Sequence, residues 1–244
     1  MSLFKYAVGV MVALVMSAVQ AEAVDDATRT KILSKVEQVV DGATNIEINT
    51  TPIDGLYEIA VGAGQFLYSS KDGSYVFVGE MYSLNGAEPE NLTENKRKEF
   101  RASVLKDLNI ADTIIFKPEG ETKAVMSVFT DVDCGYCRLF HQEVPQLNAK
   151  GIEVRYLAFP RSGMQSAGYR KLVSAWCADD KADALTRLKN DQSIPAKSCE
   201  NPVFEQYNMG GAFGVRGTPA LVLMDGTLIP GYKPAEELID MLGL

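Results

Sequence analysis

Cys134-Gly135-Tyr136-Cys137 follows directly on an apolar run over residues 123–130 and leads into a helical pattern. At a strand-to-helix junction the first cysteine meets unpaired helix amides and the positive end of the helix dipole, both of which stabilise a thiolate. Cys137 lies one helical turn further on, where the two sulfurs can close a small disulfide ring, so the spacing points to thiol-disulfide chemistry. The same spacing is also half of many zinc sites. A four-cysteine site would have to draw on Cys177 and Cys199, which are far apart in the chain and have no ligand-rich loop around them. A purely structural Cys134–Cys137 bridge is the other reading, but so short a loop constrains the unfolded chain little. His141, the single histidine, lies two turns along the helix face that begins at Cys134; it reads as a packing or surface residue rather than a base.

The elements needed to hold such a pair are legible around it. The pattern predicts a strand over 123–130, the CxxC, a helix through about Leu147, a turn at Lys150-Gly151 and a strand over 152–159, a βαβ unit with the cysteines at its first crossover. Residues 161–213 are mostly helical in pattern. A hairpin over 220–224 and 227–229, turning at Asp225-Gly226, and a last helix over 235–242 complete the chain. Gly217-Thr218-Pro219 falls between the helical insert and that hairpin. The order β-α-β, helical insert, β-β-α is that of a thioredoxin fold.

Upstream, the chain opens with Lys5, an almost purely apolar run over 6–19 and small residues that permit cleavage after Ala21 or Ala23. This predicts a signal peptide over 1–21, since the run is shorter than the roughly 20 residues of a bilayer span and Glu22, Asp25 and Asp26 follow at once. The chain of 244 residues carries a net charge of −8; losing 1–21 removes Lys5 and no acid, giving −9, and cutting after Ala23 removes Glu22 as well and restores −8. An acidic protein with no basic cluster is a poor partner for nucleic acid. Four cysteines in an exported chain fit an oxidising compartment.

The mature chain is long enough for two domains. Residues 26–40 carry Ile32, Leu33, Val36, Val39 and Val40 on one helical face, with Gly42 as the expected C-terminal cap. Short β-favouring runs follow at 45–51, 56–61, 65–69 and 75–79, an antiparallel meander whose outer edge would offer unpaired backbone to a second copy or be blocked by its own loops. Thr93 is the expected cap of a linker helix carrying Phe100, Val104, Leu105 and Leu108 as one apolar stripe. The resulting division is signal peptide 1–21, N-terminal domain 24–90, helical linker 91–115 and catalytic domain 116–244, an α+β protein.

Several stretches carry a resemblance. Val128-Phe129-Thr130-Asp131 leading into the CxxC, residues 154–161, Trp176-Cys177-Ala178, Gly217-Thr218-Pro219-Ala220 and residues 226–232 make the C-terminal half similar to the thioredoxin superfamily. The mature chain nearly end to end resembles the DsbC family of bacterial periplasmic disulfide isomerases. The resemblance implies a V-shaped homodimer of cystatin-like N-terminal domains, with thioredoxin arms around an uncharged cleft that also acts as a chaperone. It further implies a periplasmic location, mis-bridged exported proteins as substrates, a membrane thiol reductase of the DsbD type as electron donor, and no cofactor beyond the redox-active disulfide.

In that setting Cys134 is the expected nucleophile and the more exposed of the two, and Cys137 the resolving thiol, with Gly135 and Tyr136 forming the active-site loop. The resemblance makes Pro219 a cis-proline packed against the pair and gives Thr218 a backbone role in holding an extended substrate. It also pairs Cys177 with Cys199 in a structural disulfide. Asp133 departs from the small hydroxyl residue expected beside the nucleophile, and its carboxylate would oppose thiolate formation. Two other activities share these residues: a thiol oxidase of the same fold, and a chaperone whose cysteines matter little.

Overall fold

The computed structural model describes residues 23–40, 46–62 and 64–244. The expected signal peptide over 1–21 and the expected Gly42 cap lie outside the described residues. Among those described, no helix is long and apolar enough to cross a membrane.

Helix α1 (Asp26–Val36) starts where the Asp25 side chain accepts from the Thr28 amide at 2.9 Å. It ends at Val36, short of the expected Val40, the chain continuing as a turn. Its Ile32 and Val36 pack on Ile48, Ile59 and Val61 of an antiparallel sheet ordered β1 (Ile46–Thr50), β2 (Leu56–Val61), β3 (Gln65–Ser70), β4 (Val76–Val78). The meander is the one the short β-favouring runs predict. Strand β4 lies at its edge with Tyr75, Phe77 and Val78 exposed, the last at 82%. A two-stranded ribbon, β5 (Tyr82–Ser83) with β6 (Glu90–Asn91), leads into helix α2 (Leu92–Asp107).

The cap of α2 differs from expectation. Asn91, not Thr93, accepts from the Glu94 amide, at 2.9 Å. The Thr93 hydroxyl is instead buried against the N-terminal domain, 2.5 Å from the Tyr68 hydroxyl and accepting from the Met81 amide at 2.7 Å. Further along, Arg101 is 2% exposed and donates to the carbonyls of Phe213 at 2.9 Å and Gly226 at 3.2 Å. Gly226 has φ +85°, and a Cβ there would stand 1.9 Å from the Lys98 carbonyl, so the backbones of α2 and this turn touch only because the residue is glycine. Helix α2 is thus bonded to both domains.

The catalytic sheet has the order β11-β10-β8-β9-β7. Strands β8 (Ala124–Thr130) and β9 (Ile152–Ala158) are parallel and joined by α3 (Gly135–Ala149), the predicted βαβ unit. Strand β7 (Ile114–Phe116), antiparallel to β9 at the edge, was not anticipated: three residues carry too little alternation to read. The hairpin is β10 (Ala220–Leu223) and β11 (Leu228–Pro230), and α7 (Ala235–Met241) follows. The insert forms α4 (Ala167–Trp176), α5 (Lys181–Lys189) and α6 (Val203–Ala212), with irregular chain between the last two.

Successive side chains of a strand face opposite sides, and β8 and β9 use both. Met126, Val128, Val154 and Tyr156 join Phe140, Val144, Leu172 and Trp176 in the larger core. Phe129 and Leu157 face the other way, onto Leu105 of α2, Phe213 and Val222. With both faces covered, the C-terminal end of β8 is held on all sides, and it is this end that carries the cysteines.

Candidate active site

Cys134 occupies the N-cap of α3 with φ −98° and ψ 118°, and its sulfur accepts from the Cys137 amide at 3.4 Å. This places a sulfur where a capping oxygen usually sits, facing the free amides of the first turn. Cys137, within that turn, is fully buried, and both cysteines are free thiols. Cys134 is the more exposed of the two, as expected, but at 2% it too is nearly buried. The cause is the loop before β10: the Thr218–Pro219 peptide is cis, and the Thr218 carbonyl lies over the cysteine, accepting from its thiol at 3.2 Å. Thr218 therefore stands directly against the pair, with Pro219 joined to it through the cis bond.

The two thiols differ in how burial and hydrogen bonding balance at each sulfur. A hydrogen bond from the Cys137 thiol is the main influence holding Cys134 well below the ordinary thiol range, at about 5, helped by Thr218, the Cys137 amide and the Arg161 guanidinium against the opposing effect of burial. Cys137 is pushed far up, first by burial and then by its hydrogen bond with Cys134. The Thr218 hydroxyl is buried without another partner among the described residues, which leaves it available to the sulfurs.

Asp133 does not act as expected. Its carboxylate is taken by Lys171 of α4 at 2.5 Å, and the Arg161 guanidinium donates to its carbonyl at 3.2 Å. The buried Asp131 accepts from the Asp133 amide at 2.9 Å and from the Arg161 backbone and side chain at 2.9 and 3.2 Å. Each carboxylate next to the nucleophile is thus matched by a cation, so neither opposes the thiolate as an isolated charge would.

Gly135 and Tyr136 form the outer face of the site. Tyr136 is 66% exposed and stacks on Tyr232 with ring centroids 6.3 Å apart. The Tyr232 hydroxyl donates to Glu143 of α3 at 2.7 Å, and the other Glu143 oxygen accepts from the Ala235 amide at the start of α7. A shallow groove running past Thr218 is floored by Val215, Gly217 and Pro230. Cys177 and Cys199 are joined by a disulfide across the insert. His141 is buried between the Tyr156 and Thr186 hydroxyls at 2.9 and 3.0 Å, and burial lowers its pKa to about 4, so it is a neutral packing residue.

Sequence reasoning missed Lys171 as the partner of Asp133, and it missed Lys189. Lys189 lies beneath the cysteines at the end of α5, 3% exposed. Its signal was present: with Leu185 and Leu188 it repeats the i, i+3, i+4 spacing of a buried stripe.

Residues 111–244 match the thioredoxin-like domain family, and residues 18–94 match the family described as disulfide bond isomerase protein N-terminal domain. The thiol:disulfide interchange protein DsbC of Escherichia coli (strain K12) is 38% identical over 220 residues, covering 89% of this chain and 87% of that protein. Its counterpart in Haemophilus influenzae is 38% identical over 198 residues, covering 80% of this chain and 82% of that protein. Among solved structures, a disulfide interchange protein from Neisseria gonorrhoeae aligns with a TM-score of 0.50 at 28% identity, covering 56% of this chain and 96% of that one.

Proposed function

We propose that this chain, which belongs to the DsbC family of thiol:disulfide interchange proteins, reduces and reshuffles wrong disulfides of exported proteins through Cys134 and Cys137. It is a thiol-disulfide oxidoreductase. The observation that carries the assignment of roles is the opposite displacement of the two thiols: Cys134 held down to about 5 at the helix cap, Cys137 held up by burial. At neutral pH the first is the nucleophile and the second waits as a thiol.

The Cys134 thiolate attacks one sulfur of a client disulfide, forming a mixed disulfide and freeing the other client sulfur as a thiolate. If that thiolate or another client cysteine attacks the mixed bond, the client leaves with a rearranged disulfide and Cys134 is regenerated. If Cys137 attacks first, the client leaves reduced and the enzyme holds a Cys134–Cys137 disulfide. Returning it to the dithiol requires a reductant, for which a membrane thiol reductase of the DsbD type is the expected donor. Thr218 and Pro219 would line an extended client segment along the groove beside Cys134.

The apolar edge at β4 supports pairing of two copies into a homodimer, and chaperone activity accompanies the exchange chemistry. The apolar leader at the N-terminus supports a periplasmic location. A stabilised thiolate favours the reduced form, in which an isomerase must be kept, yet it also makes the oxidised form a good disulfide donor. The test is refolding of a scrambled multi-disulfide protein with wild type and Cys134→Ala. Recovery that requires Cys134 and added reductant supports the isomerase; activity only from the oxidised form, acting on reduced client, would show an oxidase instead; full activity in Cys134→Ala would leave only a chaperone.

A further inference from the structure

Lys189 is the one buried lysine among the described residues, and no carboxylate lies within ion-pair distance of it. Its ammonium donates to the Thr130 hydroxyl at 2.6 Å and the Asp131 carbonyl at 2.9 Å and lies 5.9 Å over the Tyr156 ring. An ammonium has three protons to donate, and those two acceptors are its only hydrogen-bond partners among the described residues. Taking an unpaired ammonium out of water costs several kcal/mol, so a buried cation needs a counter-charge. The Asp131 carboxylate supplies one only in part, because it is turned to Arg161 and the Asp133 amide and its pull on Lys189 is smaller than that of the cysteines.

What faces Lys189 instead is the cysteine pair. The Asp131 carbonyl that accepts from its ammonium also accepts from the Cys134 amide at 3.4 Å, tying α5 to the active-site turn. The titratable and charged groups around it are Cys134 and Cys137 at the head of α3, Arg138 and His141 further along α3, Asp131 after β8, and Tyr156 on β9. His141 is neutral, and Arg138 is engaged by Asp191 and the Val132 carbonyl. Burial brings the Lys189 ammonium down to about 8, and negative charge on Cys137, then on Cys134 and then on Asp131, works the other way. Lys189 is also the largest of the influences that favour the Cys137 thiolate, with Arg161 as a second cation acting in the same direction.

We propose that Lys189 is the positioning residue of the resolving step, the buried counter-charge that lets Cys137 ionise once Cys134 is bonded to a client. The inference rests on the assignment of Cys137 as resolving thiol. In the mixed disulfide Cys134 carries no charge, so the hydrogen bond that opposes ionisation of Cys137 is gone and burial is the remaining obstacle. Cys137 then gives up its proton and its sulfur attacks the Cys134 sulfur. The bond between Cys134 and the client sulfur breaks as the Cys134–Cys137 bond forms, and the client sulfur leaves as a thiolate that takes up a proton. The two enzyme sulfurs are oxidised by two electrons and the client disulfide is reduced by two. Lys189 thereby sets how long a mixed disulfide survives, and so how often reshuffling precedes reduction.

The experiment loads reduced full-length protein with a thionitrobenzoate group at Cys134 and follows its release by Cys137 in a stopped-flow absorbance trace between pH 5 and 9. Lys189→Met is expected to slow release at pH 7 by about tenfold or more and to move the profile up by about a pH unit. Lys189→Arg, which keeps the charge, restores most of the rate. Release in Lys189→Met within about twofold of wild type, or equal slowing in folded Lys189→Arg, would overturn the inference; a wild type that takes no label at Cys134 would instead sink the assignment of the cysteines. Should Lys189→Met not fold, the 15Nζ titration of Lys189 in the wild-type chain decides: its pKa falls when the pair is oxidised if negative charge shared by the two sulfurs is its counter-charge, and an identical titration in both redox forms refutes it.

Discussion

The depressed pKa of Cys134 has a direct kinetic consequence when the pH is varied. Only the thiolate reacts with an alkylating agent, so the rate follows the ionised fraction. With a pKa of about 5 the thiolate fraction is about 99% at pH 7 and about 91% at pH 6, so the rate changes by only about 1.1-fold between them. An ordinary thiol with a pKa near 8.5 would lose about tenfold over the same interval. The assay is second-order alkylation of the reduced protein by iodoacetamide, quantified by intact mass; Cys137 does not compete because burial keeps it protonated. The inflection is expected near pH 5 in wild type and higher in Cys137→Ala, which removes the principal hydrogen bond to the thiolate. A tenfold fall between pH 7 and 6, or an inflection unmoved in Cys137→Ala, would refute the electrostatic account. Linkage gives a companion result. The folded-state pKa lies below that of an unfolded thiol, so ionised Cys134 contributes stability that grows as the pH rises from about 5 to about 8.5, above which the raised pKa of Cys137 acts in the opposite sense. Denaturant titrations of the reduced form should show this trend and those of the oxidised form should not.

Two further outcomes concern stability. Arg101→Met leaves the Phe213 and Gly226 carbonyls without their donor, at about 1–3 kcal/mol for each buried group left unsatisfied, which urea unfolding of the catalytic domain would register. Replacing Cys177 and Cys199 together by Ala should lower stability by about 3 kcal/mol on the loop-closure model while leaving alkylation of Cys134 unchanged, as seen by thermal unfolding beside the same alkylation assay.

The βαβ unit, the hairpin and the meander were legible because each announces itself within a few residues of chain: apolar, β-favouring runs for β8 and β9, a Gly-containing turn for β10–β11, a CxxC at the crossover. What stayed hidden depends on partners distant in sequence. Thr93 has the chemistry of a cap, and only the approach of Tyr68 and Met81 diverts its hydroxyl. Asp133 looks hostile to a thiolate until α4 brings Lys171 against it. Burial of Cys134 depends on a loop more than eighty residues downstream, where the Thr218 carbonyl meets its sulfur. Lys189 lies on an apolar stripe, but a lysine in that position reads equally as a helix end reaching solvent.

The double attachment of α2 sets a rule for its length. Thr93 near its start is tied to Tyr68 and Met81, and Arg101, about two turns later, to Phe213 and Gly226. An α-helix advances about 1.5 Å and rotates about 100° per residue, so one residue inserted between these anchors would swing the mouth of the catalytic domain by more than a quarter of a circle relative to the N-terminal sheet. Only insertions near whole turns keep the two halves in phase, and this helix works as a keyed shaft rather than a tether.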